Sequence, residues 1–457
     1  MKNLFFYILI FSSCFVSAQE KTDAEVIRSL YNEALSSWEA YENLEWLCKN
    51  TKGRICGTPE AAAAVEFTYQ TMLKMNLDSV WKQDVMVKNW KRGEPEQGRI
   101  VSSLFGTSDV DVCALGLSPG TGDEGIVGEV VELLDFKELE KRKEEVKGKI
   151  VFFNRPMDQK LIHTFGAYGG AANQRTSGPG LAAKHGAIGC LVRSLGPELD
   201  DYPHTGVTRF LDPDEQIPAL AISTNGAELL SRQLKEDPEL KVFLRTTCQT
   251  YPDVPSHNVI GEIRGSENPD EIITIGGHLD AWDNGEGAHD DGGGCIQSIE
   301  VLRLFLATGY QPKHTIRAVM FMDEEVAQRG GQAYAKEAFE KGEKHIAAME
   351  SDRGVLSPRA VSVNTTKEKF EKAKEDWAPL FEAYDLKFIT GGGGVDVSPL
   401  KNYYPDIVYL GMMPDNQRYF RFHHSPFDTF EQVDRREMQM GAASMAAMVY
   451  LFDKWGL

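Results

Sequence analysis

The chain has 457 residues, of which 42% are hydrophobic and 26% charged, and a formal net charge of −19. That length accommodates two or three domains with sizeable cores. The acidity excludes a nucleic-acid partner, whose phosphates demand basic patches, and is a poor match for an anionic membrane surface.

From the N-terminus, Lys2 precedes an apolar run from Leu4 to Phe11 and a small-residue stretch ending Val16-Ser17-Ala18. This order reads as a signal peptide over residues 1–18, with an exported product, periplasmic or secreted. A lipoprotein attached through Cys14 is the minor alternative. The apolar run is too short to span a bilayer, so no transmembrane segment is expected. Six cysteines remain in the mature chain, without a Cys-x-x-Cys metal knuckle. Cys48 and Cys56 are near enough in sequence to pair, while Cys295 reads as a buried free thiol.

Residues 23–50 and 58–76 carry helical patterns, the second opening on Thr58 and Pro59 as N-cap and first-turn residues. Val80–Val87 and Arg99–Leu104 read as strands that begin a catalytic sheet, giving a first catalytic segment over 19–120. From about Thr121 the chain turns to short strands and glycine-rich turns. Gly128–Leu134, Gly148–Phe153, Ala187–Val192 and Ile217–Ile222 are its strands, and Gly180–Gly186 is a glycine-capped helix. Ala167–Gly170 reads as a turn, and the charge run Lys141–Lys147 as a solvated helix face. The segment 121–250 is therefore an inserted β-rich domain, and the catalytic domain resumes over 251–457.

Four strand patterns in this last segment end on acids or imidazoles. Ile272–Ile275 leads to His278, with Asp280 two residues on and Asp290 and Asp291 beyond a glycine-broken loop. Ile316–Met322 is nearly all apolar, as expected of a strand buried on both faces of a parallel sheet, and runs into Asp323-Glu324-Glu325. Ile346–Met349 leads into Glu350-Ser351-Asp352. Ile407–Leu410 is followed by His423, His424 and Asp428. Ligands of open α/β sheets bind beyond the carboxyl ends of the strands, so these clusters read as one metal site. Mixed imidazole and carboxylate donors suit zinc. The single-zinc signature His-Glu-x-x-His on a helix is absent. The loop Gly391–Gly394 reads as mobile, with Asp396 or Ser398 as contacts for a substrate amino group or simply as parts of a turn. Glu437–Leu451 is a final core helix. The fold expected is α/β, with a mixed, mostly parallel central sheet flanked by helices.

Five motifs carry a resemblance: Gly277-His278-Leu279-Asp280, Gly287 to Gly294, Asp323-Glu324-Glu325, Ser351-Asp352 and His423 to Thr429. In them the chain resembles the co-catalytic two-zinc aminopeptidases of the aminopeptidase Y and aminopeptidase S type. The Phe-His-His-Ser-x-x-Asp-Thr form is similar to the plasma glutamate carboxypeptidase (carboxypeptidase Q) group. The resemblance implies two Zn2+ ions bridged by Asp290, with His278 and Asp352 on one, Glu325 and His424 on the other, and Glu324 as general base. It also implies a cis peptide bond between Asp290 and Asp291. Asp280 is expected to accept the other N–H of His278. His423 and Asp428 are expected to orient His424 or line the pocket, and His289 to pack. His163, His185, His204, His257, His314 and His345 have no partner motif and read as ordinary. After Glu325 the family's Gly-Leu-x-Gly-Ser stretch is replaced by Val326 to Gly331, which alters the pocket wall and spares the ligands. The inserted segment resembles a protease-associated domain. The implied activity is hydrolysis of the N-terminal peptide bond of dipeptides or short peptides. The alternatives are a glutaminyl cyclase-like acyltransferase with a single zinc, or a non-catalytic receptor-like binding module. A homodimer is left open.

Overall fold

The computed structural model describes residues 21–457, so the signal-peptide reading and Cys14 lie outside the described residues. Two eight-stranded sheets organise them. The first takes its strands in the order Ser79–Lys91, Gln249–Ile263, His314–Phe321, Asn268–His278, Lys344–Glu350, Val408–Pro414, Pro358–Asn364 and Lys387–Thr390. Its four central strands run parallel, from His314–Phe321 through Val408–Pro414. This is the mixed α/β sheet expected from the apolar runs. Helices Gly293–Thr308 and Arg435–Trp455 cover one face, joined by Asp23–Ser36 and Glu39–Asn50. Arg329–Glu340 covers the other, with Tyr334 and Ala335 set against Val319 and Phe321. The C-terminal helix buries Met438, Met445, Met448, Leu451 and Phe452, each large side chain contributing roughly 1.5–3 kcal/mol.

The second sheet is ordered Gly106–Val110, Gln97–Ser102, Lys241–Arg245, Ile126–Leu133, Ile150–Phe153, Gly189–Arg193, Ala219–Ile222 and Val112–Ala114. The segment Arg99–Leu104, expected in the catalytic sheet, belongs here: Ile100 pairs with Val242 and Ser108. Its alternating pattern was sound, but a pattern does not name a partner strand. The connection to the first sheet is narrow. Lys91 pairs with Gln249 in the long antiparallel ladder of Ser79–Lys91 with Gln249–Ile263, so the chain leaves and rejoins the first sheet at adjacent points.

Smaller differences have local causes. The helical pattern over 23–50 breaks at Ser37 and Trp38 into two helices. Ala167–Gly170 lies inside helix Thr164–Ala171, where stacking of Phe165 and Tyr168 on Tyr419 and Phe420 outweighs the poor helix propensity of glycine. Cys48, Cys56 and Cys295 are all buried free thiols, none of them in a disulfide. Among the described residues, no helix is long and apolar enough to cross a membrane.

Candidate active site

Strand register assembles the site. His278 is the last residue of Asn268–His278 and lies opposite Phe321, so the chain leaving the neighbouring strand brings Asp323, Glu324 and Glu325 alongside. On the other side Gly276 pairs with Glu350, which puts Asp352 two residues past the sheet edge. His278 Nε2 lies 3.2 Å from Asp290 Oδ1, 3.5 Å from Asp352 Oδ1 and 3.9 Å from Glu324 Oε2. The other oxygen of Asp290 faces elsewhere: Oδ2 is 3.4 Å from His424 Nε2, which is 3.0 Å from Glu325 Oε2. One carboxylate therefore spans two donor sets. The Asp290–Asp291 peptide bond is cis.

All six of these side chains are largely or fully buried. Burial works against charge on His278, yet Asp290 and Asp352 hold its pKa well above the ordinary value. Burial and the nearby Arg175 guanidinium push His424 well below it. Burial, with Asp352 and Asp280 adding to it, pushes the Glu324 carboxyl up to about 8. Asp290 Oδ2, Glu325 Oε1 and Asp352 Oδ1 are buried without a hydrogen-bond partner. Buried acceptors are normally satisfied, and a convergent set that lacks donors suits a cation. Two three-residue groups have the spacing to hold one, His278 with Asp290 and Asp352, and Asp290 with His423 and His424. Carboxylate and imidazole donors of this kind fit zinc.

The supporting residues differ in part from expectation. His278 Nδ1 donates to the backbone carbonyl of Asp280 at 2.9 Å, not to its carboxylate. The Asp280 carboxylate instead accepts the Glu324 N–H at 3.1 Å. Asp428 does not reach His424; its two oxygens accept the N–H groups of His289 and Asp290 at 2.8 and 3.0 Å, seating the shared aspartate. His423 stacks on His424, ring centroids 3.6 Å apart, with its Nε2 3.9 Å from Asp290. His289 packs, stacked on Phe422. Asp396 is buried, its N–H and that of Val397 donating to Glu350 Oε2, so the far end of the tetraglycine loop is pinned. Ser398 turns back to the carbonyl of Gly394 and does not join the site.

Three features escaped the sequence reading. Asp291 accepts the His278 N–H at 3.0 Å and the Gly294 N–H at 3.1 Å, locking the strand end to the start of the next helix. Arg54, wholly buried, donates to the carbonyls of Leu279, Glu286 and Gly287 and so shapes the loop between His278 and Asp290. His204, read as ordinary, bonds the carbonyl of His423 at 2.8 Å. Only Asp291 had a local signal, its place beside Asp290 in the glycine-flanked motif.

The sequence model of peptidase family M28 matches residues 258–449. Human carboxypeptidase Q is 32% identical over 415 residues, 90% of this chain and 84% of that protein. The Xenopus laevis carboxypeptidase Q is 32% identical over 417 residues, covering 90% and 85%. Among solved structures, a peptidase M28 precursor from Shewanella amazonensis superposes with a TM-score of 0.89 at 29% identity, covering 94% of this chain and 96% of that one. The zinc aminopeptidase BSAP of Bacillus subtilis shares the fold, with a TM-score of 0.62 at 19% identity over 90% and 94% of the two chains. On this identity and coverage, the chain belongs to peptidase family M28.

Proposed function

We propose that this peptidase is a zinc-dependent exopeptidase that hydrolyses the N-terminal peptide bond of dipeptides or short peptides, with two zinc ions sharing Asp290. The observation that carries the reading is the divided carboxylate: Asp290 Oδ1 faces His278 while Oδ2 faces His424. His278, Asp290 and Asp352 would hold one ion, and Asp290, Glu325 and His424 the other. When bound, such ions polarise the scissile carbonyl and acidify the attacking water. Glu324 stays off the donor set, accepts the proton of that water and returns it to the departing amine nitrogen. Asp280 fixes the backbone of Glu324, and Asp428 that of Asp290. Glu324 and Asp352 keep 12% and 20% of their side chains exposed, so they face the cleft and draw the substrate's ammonium. Asp396, at 1% exposure, adds no charge to this field, because burial, with Glu350 and Glu324 beside it, raises its carboxyl well above the ordinary value.

The inserted domain of protease-associated type, expected over 121–250, is read here over 97–245 because Gln97–Ser102, Gly106–Val110 and Val112–Ala114 join the second sheet, and the N-terminal segment is read as an export signal. Zinc titration of the purified protein is expected to saturate near two ions per chain, with Asp290→Ala losing both and His278→Ala mainly weakening one. Saturation at one ion would favour a cyclase-like centre, and no uptake a binding module. A dipeptide is expected to be cleaved while its N-acetylated form is not. Cleavage of the acetylated form at a similar rate, or internal cleavage of a decapeptide, would remove the exopeptidase reading.

A further inference from the structure

His424 sits at φ +61, in the left-handed region, where a non-glycine residue costs about 1–2 kcal/mol. Something must hold it there. Its carbonyl accepts the Thr205 N–H at 2.9 Å and Asn284 Nδ2 at 3.0 Å. The preceding carbonyl, of His423, accepts His204 Nδ1 at 2.8 Å. The ring is held as well: His424 Nδ1 lies 3.2 Å from the Thr205 carbonyl. Arg175 Nη1 stands 3.2 Å from the same Nδ1, so this nitrogen is seated between the guanidinium and the carbonyl, and Nε2 is turned toward Glu325 and Asp290.

The Thr205 carbonyl is itself fixed. Arg175 Nη1 donates to it at 3.2 Å, while Nη2 donates to Tyr168 Oη at 2.7 Å. The guanidinium is buried and fits only because residue 206 is glycine; a Cβ there would lie 2.4 Å from Arg175 Cζ. Apart from Asn284, every group in this clamp belongs to the second-sheet segment, 97–245, and not to the sheet that carries the other candidate ligands.

We propose that the second-sheet segment is a structural part of the metal centre, with His204, Thr205 and Arg175 holding His424 in its ligating backbone conformation and ring orientation. His204 and Arg175 are thus positioning residues for one half of the centre. The half built on His278 and Asp352 makes no such contacts. The proposal rests on the reading of His424 as a ligand.

The test uses the full-length protein with zinc alone, titrated against a competing chelator, beside peptide-hydrolysis rates and thermal unfolding of the metal-free protein. His204→Phe and Arg175→Met should each weaken one of the two zinc sites by about 10–100-fold and leave the other near the wild-type value. His204→Asn, whose amide N–H occupies the place of Nδ1–H, should recover most of the loss. Arg175→Lys, which keeps the charge without the forked donor geometry, should behave as Arg175→Met does and serves in its place if that variant does not fold. The proposal is overturned if His204→Phe and the Arg175 variants bind both ions as the wild type does, if both sites weaken equally, or if His204→Asn is as impaired as His204→Phe. A wild-type protein that takes up no zinc would overturn the reading of the centre itself, and the clamp with it.

Discussion

Glu324 and Glu325 are neighbours in sequence with divergent surroundings. Glu325 Oε2 meets His424 Nε2 at 3.0 Å, whereas Glu324 stands 3.9 Å from His278 and keeps part of its side chain exposed. One is placed to ligate and the other to move protons. Glu324→Gln keeps shape and volume while removing the base, so it should retain zinc and substrate binding and lose turnover by about 10²–10⁴-fold, read as kcat at saturating dipeptide. A variant retaining more than about a tenth of the wild-type kcat would exclude Glu324 as the base. The residues that face one another here were legible because each follows a buried-strand pattern, and strand ends converge. The residues that support them were not. Whether the carbonyl or the carboxylate of Asp280 meets His278 depends on the rotation of one loop residue. His204 and Arg175 bond partners 219 and 249 residues away, a separation over which no periodicity speaks.

At the scale of elements, the loop between His278 and Asp290 is braced from outside by Arg54, beside Arg92 on Asp283 and Lys49 on Glu286. Arg54 Nε and Nη2 donate to the carbonyls of Leu279 and Gly287 at 2.7 Å each, and Nη1 to that of Glu286. The guanidinium also leaves no room for a side chain at Gly287 or at Gly292 just beyond the loop, where a Cβ would lie 2.7 or 2.8 Å from Arg54 Nη2. Arg54→Met would leave the buried carbonyls of Leu279 and Glu286 without donors and that of Gly287 with the Gly292 N–H alone. Hydrogen bonds to a charged group contribute roughly 1.5–3 kcal/mol each, so the variant should lose at least about 3 kcal/mol in denaturant unfolding of the metal-free protein. A loss below about 1 kcal/mol would mean that water replaces the guanidinium. Most strands and helices were readable from their patterns, including the Thr58 cap, whose hydroxyl accepts the Ala61 N–H. The placement of Arg99–Leu104 was not, because its partner Lys241–Arg245 lies far along the chain and alternation is the same in either sheet.

Across the molecule, the central sheet is tied together beneath the site by Arg317, which bonds Glu262 on one neighbouring strand at 2.9 Å and Glu343 at 2.7 Å. His345 Nε2 adds a contact to Glu343 at 3.3 Å. Burial alone would raise the Glu343 carboxyl, but His345 and Arg317 bring it down to about 2 from an ordinary 4.5. A carboxyl depressed in the folded state contributes stability that is whole above the unfolded value and fades as pH falls toward the folded one. Glu343→Gln should therefore be less stable than the wild type at pH 7, with the gap closing between about pH 4.5 and 2 in denaturant titrations. A gap that stayed constant with pH would show that the carboxylate's charge is not what holds the sheet there.

The adjacency of Lys91 and Gln249 has an evolutionary and practical meaning. Residues facing each other in an antiparallel pair lie about 4.5–5.5 Å apart, a gap that a two-residue hairpin turn bridges. A gene could thus have gained everything between these positions in one event without disturbing the older sheet, and a protein engineer could cut it out at the same seam. The shortened chain would keep the strands that bear His278, Glu324, Glu325 and Asp352. It would also keep His424, but with neither the partner for its ring nitrogen nor most of the bonds on its backbone. A segment joined to the sheet at one seam would thus, on the proposed clamp, be one that cannot be cut away without loosening half of the centre.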